Sequence, residues 1–258
     1  MKLFSKIYDG PIKGRDIIII HGLFGMSDNW SSLGKRFSKK ISVHLIDLRN
    51  HGRSPHSDLF NYDVMSTDLL NYINQNNIIQ PIIIGHSLGG KVAMNFAFNY
   101  PEKVQKLIVA DIAPKIYSVD FHRNILQHLL DLNLNNFNRR EEIDRALSIN
   151  ISDISIRLFL MKNIYRDESK NFKWRFNIQV LFDKLENISS ADFLKGTCDI
   201  PTCFLRGGNS NYITEEDIIN FSKNFSDFNV VTIDNAGHWL HAEYPDKFYN
   251  EVINFSDI

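Results

Sequence analysis

The sequence predicts an α/β fold, a mainly parallel sheet with helices on both faces, and three observations carry that prediction. Short apolar runs alternate with amphipathic helical segments in the first 114 residues and again after residue 196. Those runs are continuous, as strands covered on both faces require. At 258 residues and 43% hydrophobic, the chain is long enough to bury one substantial core.

The chain opens on "MKLFSKIYDG", where apolar and polar residues alternate and the apolar core of a secretory leader is missing. No run approaches the roughly 20 apolar residues that span a bilayer, so no membrane insertion is expected. The two cysteines, Cys198 and Cys203, have spacings that fit neither a zinc site nor a disulfide framework. A cytoplasmic protein, monomer or small homo-oligomer, is the expectation.

Four strands follow in order, "DIIIIHG" (16–22), "VHLIDL" (43–48), "PIIIGHS" (81–87) and "KLIVADI" (106–112). Helical patterns separate them at 62–77 and 88–104, the latter with Val92, Phe96 and alanines at helical spacing. This order implies right-handed βαβ crossovers. After Pro114 the period changes: residues 115–196 carry helical periodicity without a credible buried strand, which predicts an all-helical insertion. Strand and helix patterns resume at 199–208, 215–225, 228–238 and 245–255. The predicted organisation is a core of 1–114 and 197–258 with a cap, or lid, of 115–196 inserted in it.

Charge excludes some partners. Lysine plus arginine number 29 against 30 aspartates and glutamates, so no field steers the chain toward nucleic acid or anionic lipid. A small, roughly neutral substrate fits better.

The chemistry concentrates at "GHSLGG" (85–90), where Gly85 and Gly89 flank Ser87 between a strand and a helix. A tight strained turn there needs neighbours without bulk and lifts the serine hydroxyl above the sheet. The competing reading of Ser87 is a helix N-cap. The Leu88 N–H, at the helix N-terminus, suits a developing oxyanion. A second donor is expected from "HGLFG" (21–25), with Leu23 first and Phe24 second.

A serine nucleophile needs an imidazole to take its proton. Of nine histidines, His238 in "DNAGHWLHAEYP" follows the last strand at the same sheet end, and His241 is its rival. His21 and His86 are expected in hydrogen-bonded scaffold roles and His51 as a loop brace. The orienting acid is expected after the strand "TCFLRGG", yet that loop reads "NSNYIT"; Glu215, Glu216 and Asp217 beyond it look like helix N-terminal charges. Asp111 ends the preceding strand, where a lone carboxylate needs partners, and is assigned as the acid. The alternative is that Asp111 only ties down the entrance of the insertion. Phe24, Trp30 and Trp239 are expected to wall the substrate cleft.

Together "HGLFGMSDNW", "DLRNHGRSPHS", "GHSLGGKVAM", "VADIAP", "LRGGNSNYI" and "AGHWLHAEYP" resemble the α/β-hydrolase superfamily, nearest the small esterases of the YbfF type. The resemblance covers nearly the whole chain, with the insertion weakly matched. It implies an α/β-hydrolase fold with about eight strands under a helical cap and esterase or thioesterase activity on small acyl compounds. It also implies Ser87, His238 and Asp111 as a triad and the Leu23 and Leu88 backbone as an oxyanion hole. No metal or organic cofactor is required. The rivals are a carbon–carbon hydrolase or lyase on the same scaffold and a binding protein that retains the three residues; a serine at the turn disfavours chemistry that needs an aspartate nucleophile.

Overall fold

The computed structural model describes residues 1–258 apart from Lys13 and Lys195. Its centre is a seven-stranded sheet in the order β1-β3-β2-β4-β5-β8-β9. The strands are β1 (Ser5–Tyr8), β2 (Asp16–Ile20), β3 (Ser42–Ile46), β4 (Ile82–His86), β5 (Lys106–Ala110), β8 (Thr202–Gly207) and β9 (Phe228–Ile233). Every neighbouring pair is parallel except β1 with β3.

The apolar runs show why both faces must be covered. Ile18, Ile20 and Ile83 pack into one core with α2 (Tyr62–Gln75) and α3 (Leu88–Asn99). Ile17, Ile19, Ile82 and Ile84 point the other way, into a second core with Phe37 of α1 (Ser31–Phe37) and Phe248 and Val252 of α10 (Pro245–Ser256). Side chains alternate along a strand, so a run of isoleucines loads two cores at once.

Two expectations need correction. About eight strands in the sheet are implied by the resemblance, and the central sheet has seven among the described residues. The backbone ahead of β1 is engaged elsewhere: Phe4 N–H donates to Ser54 Oγ (2.8 Å) and the Phe4 carbonyl accepts from Asp47 N–H (2.9 Å). Residues 115–196 are also not all-helical. Alongside α4 (Asp120–Asp131), α5 (Arg140–Ser148), α6 (Ile154–Met161) and α7 (Ile178–Asp183) they hold an antiparallel pair, β6 (Ile164–Arg166) with β7 (Phe172–Trp174). Three-residue strands are too short for a two-residue period to register in the sequence.

The remaining helices are α8 (Glu215–Phe221) and α9 (Leu240–Glu243). The acids of "EEDI" lie in the first turn of α8 as expected, closed by a Thr214–Asp217 capping box. Both cysteines are free and buried. Among the described residues no helix is long and apolar enough to cross a membrane.

Candidate active site

The site lies at the C-terminal edge of the sheet because of where the chain reverses direction. From β2 the order runs to β3 on one side and to β4 on the other, so the loops after β2 and β4 part and leave a crevice. Those loops carry "HGLFG" and Ser87.

Ser87 stands between the last residue of β4 and the first of α3 with φ 52 and ψ −119. That conformation is rare for a residue with a side chain and costs on the order of 1–3 kcal/mol. The flanking glycines permit it: a side chain at Gly85 would overlap the Gly89 carbonyl, and one at Gly89 would overlap the Ile20 and His21 carbonyls. The backbone is pinned by Ser87 N–H to Ala110 O (3.0 Å) and by Gly90 N–H to Ser87 O (2.8 Å). The Ser87 side chain makes no capping hydrogen bond, so the N-cap reading fails.

Asp111 follows β5 and is fully buried. Three donors meet its carboxylate. Gly207 N–H reaches Oδ1 (2.9 Å), while His238 Nδ1 (2.8 Å) and the Ser210 hydroxyl reach Oδ2. A buried carboxylate so partnered is both held and able to hold an imidazole. Asp111 therefore also ties down backbone, but that of Gly207 at the end of β8.

Ser210 escapes the sequence reading. It sits in "NSNYIT", the loop where an acid is expected, and supplies a donor to the acid one strand away. The signal available was the missing aspartate, which implies that the loop serves a carboxylate from elsewhere.

His238 lies in the turn after β9. Its Nδ1 bonds Asp111, its ring stacks on Tyr212 (3.8 Å, 15°), and its carbonyl accepts from His86 Nε2 (2.8 Å). With Nδ1 donating to the carboxylate, Nε2 is left to accept. His238 and Ser87 line one cavity, together with Phe24, Trp30 and Trp239. Among the described residues the Ser87 hydroxyl has no hydrogen-bond partner, a looseness usual before substrate binds.

The other histidines divide as expected. His21 donates from Nδ1 to Gly22 O (2.7 Å) and accepts at Nε2 from Leu48 N–H (3.0 Å). His51 braces its loop through Nδ1 and the Arg49 carbonyl (3.0 Å). His241 is buried and stacked flat on Trp30 (4.0 Å, 9°), and the Asp111 carboxylate goes to His238 instead. Burial pushes His21 down to about 4 and, with His238 nearby, His241 down to about 3. Burial also holds His86 well below the ordinary imidazole value. These rings are neutral at neutral pH.

Leu23 lines the serine cavity on the β2 side, in the turn closed by Gly25 N–H to Gly22 O (2.9 Å). Its N–H makes no backbone hydrogen bond among the described residues, and the Leu88 N–H, first in α3, has no carbonyl one turn back to bond. Phe24 has φ 61, packs on Phe176 (5.4 Å) and accepts at its carbonyl from Asn163 Nδ2 (2.8 Å).

A family model described as alpha/beta hydrolase fold matches residues 17–245. The chain belongs to the α/β hydrolase family. A solved marine microorganism esterase is 41% identical, superposes with a TM-score of 0.94 and is covered over 99% of its length by 98% of this chain. Esterase YbfF of Escherichia coli is 32% identical over 92% of this chain and 91% of its own. An sn-1-specific diacylglycerol lipase of Xenopus laevis is 34% identical over 96% of this chain and 82% of its own. The chain is thus an α/β hydrolase of the esterase/lipase type.

Proposed function

We propose that the protein is a serine hydrolase of small or medium acyl esters or thioesters that works through an acyl-enzyme, with Ser87 as nucleophile, His238 as base and Asp111 as orienting acid. The observation that carries this is the Asp111–His238 hydrogen bond at the rim of the cavity that holds Ser87. The carboxylate keeps the proton on Nδ1, so Nε2 takes the Ser87 proton as the hydroxyl attacks the carbonyl. The resulting imidazolium protonates the leaving alcohol or thiol, and the same nitrogen then activates the water that releases the acid. The free N–H groups of Leu23 and Leu88 are the donors for the intermediate's oxyanion.

Residues 115–196 act in this reading as the cap. Asn163 bonds the Phe24 carbonyl, Phe176 packs on Phe24, and Phe159 lies 5.8 Å from Trp239, so the insertion touches the walls of the serine cavity at three points.

The lining favours an uncharged substrate over the anionic ones of a carbon–carbon hydrolase. Among the described residues the two cavities that contain Ser87 have one lysine or arginine, Lys91, and its Nζ is committed to the carbonyls of Lys115 (2.6 Å), Ser189 (2.9 Å) and Ser190 (2.8 Å). The test is hydrolysis of p-nitrophenyl butyrate with fluorophosphonate labelling at Ser87, extended to an acyl-chain series of esters and CoA thioesters. A protein that binds these esters without turning them over, and stays unlabelled, refutes the reading.

A further inference from the structure

Two cavities open onto Ser87, and three residues are common to both: Ser87 itself, Leu23 and His122. One runs toward Phe24, Trp30 and Trp239, the other toward Ile112, Leu185 and Ile188. An ester bound for attack at Ser87 places its acyl and alcohol parts on opposite sides of the scissile carbonyl, so its central atoms lie where the cavities join. His122, the third residue of α4, is at that junction.

No other part of the site accounts for this imidazole. Asp111 already orients His238, and His122 makes no hydrogen bond within the protein among the described residues. Its ring is held by apolar contact, 6.2 Å from Phe24 and 5.4 Å from Phe121. Several polar neighbours in the two cavities are bonded: His21 makes two bonds, His86 bonds the His238 carbonyl, Lys91 makes three, and Tyr117 donates to the Tyr212 carbonyl (2.5 Å); His241 Nδ1 also has no partner, but that ring is buried flat against Trp30 and lines only the first cavity. Burial, with His238 nearby, pushes His122 down to about 4, so at neutral pH the ring presents one N–H donor and one bare nitrogen acceptor.

Resting on the serine-hydrolase reading above, we infer that His122 is a specificity-determining residue that hydrogen-bonds an uncharged hydroxyl carried by the alcohol part of the ester, close to the scissile bond. A hydroxyl pairs with whichever ring nitrogen faces the junction, accepting from the N–H or donating to the bare nitrogen, whereas a hydrocarbon leaves that nitrogen without a partner once water is expelled. A carboxylate or phosphate gains only the single N–H and meets no free cation.

The test compares kcat/KM for 2-hydroxyethyl butyrate and n-propyl butyrate, alcohols of the same length that differ in a hydroxyl against a methyl. The wild-type protein is expected to favour the hydroxy ester about 5- to 10-fold, as one net hydrogen bond in a desolvated site allows. In His122→Leu that ratio falls to about 1, and in His122→Gln, which keeps a donor and an acceptor, most of it survives. Should the leucine variant not fold, His122→Phe retains ring volume against Phe24 and Phe121 and serves in its place. A wild-type ratio near one, or a ratio unchanged in the apolar variant, overturns the inference. So does failure of the wild type to hydrolyse either ester, and fluorophosphonate labelling of Ser87 then shows whether the serine-hydrolase reading fails with it.

Discussion

Replacing Asp111 by asparagine tests the geometry at its centre, because the change is isosteric and alters only the pattern of donors. Oδ1 accepts from Gly207 N–H, so the asparagine oxygen is held on that side, and its NH2 faces His238 Nδ1 and the Ser210 hydroxyl. A donor opposite Nδ1 makes that nitrogen the acceptor and moves the ring proton to Nε2. Nε2 then cannot take the Ser87 proton. A loss of about 10⁴ in kcat is expected, on the order of 5 kcal/mol, the size seen when a serine protease triad is altered in the same way. The Ser210 hydroxyl then accepts from that NH2 instead of donating to it, so the fold is retained. The assay is steady-state hydrolysis of p-nitrophenyl butyrate, with far-UV circular dichroism and thermal melts as controls. A folded variant within tenfold of wild type would refute the assignment of Asp111.

Removing the Ser210 hydroxyl takes one of three donors from a buried carboxylate, so Ser210→Ala is expected to lower kcat by roughly 2- to 10-fold without abolishing turnover; an unchanged pH–rate profile and kcat would show that the hydroxyl is idle. Ser87→Gly should abolish turnover and raise the melting temperature, since the positive φ strain worth about 1 kcal/mol is relieved; a fall in melting temperature contradicts the strain. Gly89→Ala forces a methyl against the Ile20 and His21 carbonyls and should cost upwards of about 3 kcal/mol in urea unfolding, or prevent folding, whereas a neutral result would mean that β2 and α3 are not so close. The buried histidines make stability depend on pH. His21, depressed to about 4, and His241, depressed to about 3, contribute stability that is fully present above their unfolded value near 6.5 and is lost as pH falls below it. At pH 5 each such ring costs roughly 2 kcal/mol, not additively in one cluster, and equal urea midpoints at pH 7.5 and 5 would count against neutral burial.

Much of this arrangement is legible in the order of residues because its causes are local. Four isoleucines in a row at 17–20 demand a strand buried on both faces, and Gly85 and Gly89 around Ser87 demand a turn too tight for side chains. The lone carboxylate of Asp111 demands partners, and the position of His238 after the last strand follows from the α/β alternation. What the sequence determined by itself is therefore the sheet, the turn and the kinds of chemical group at its edge. Only the tertiary structure decided which groups meet: that Ser210 gives its proton to Asp111, that His241 lies flat under Trp30 while His238 takes the carboxylate, that Lys91 spends its charge on three carbonyls, and that His122 stands free where two cavities join. Those contacts link residues between 24 and 211 positions apart, counting from Lys91–Lys115 to Trp30–His241, and no local propensity encodes a contact at that separation. The packing of the elements places the partners, and the short strands at 164–166 and 172–174 stayed hidden for the same reason: pairing with each other, not periodicity, makes them strands.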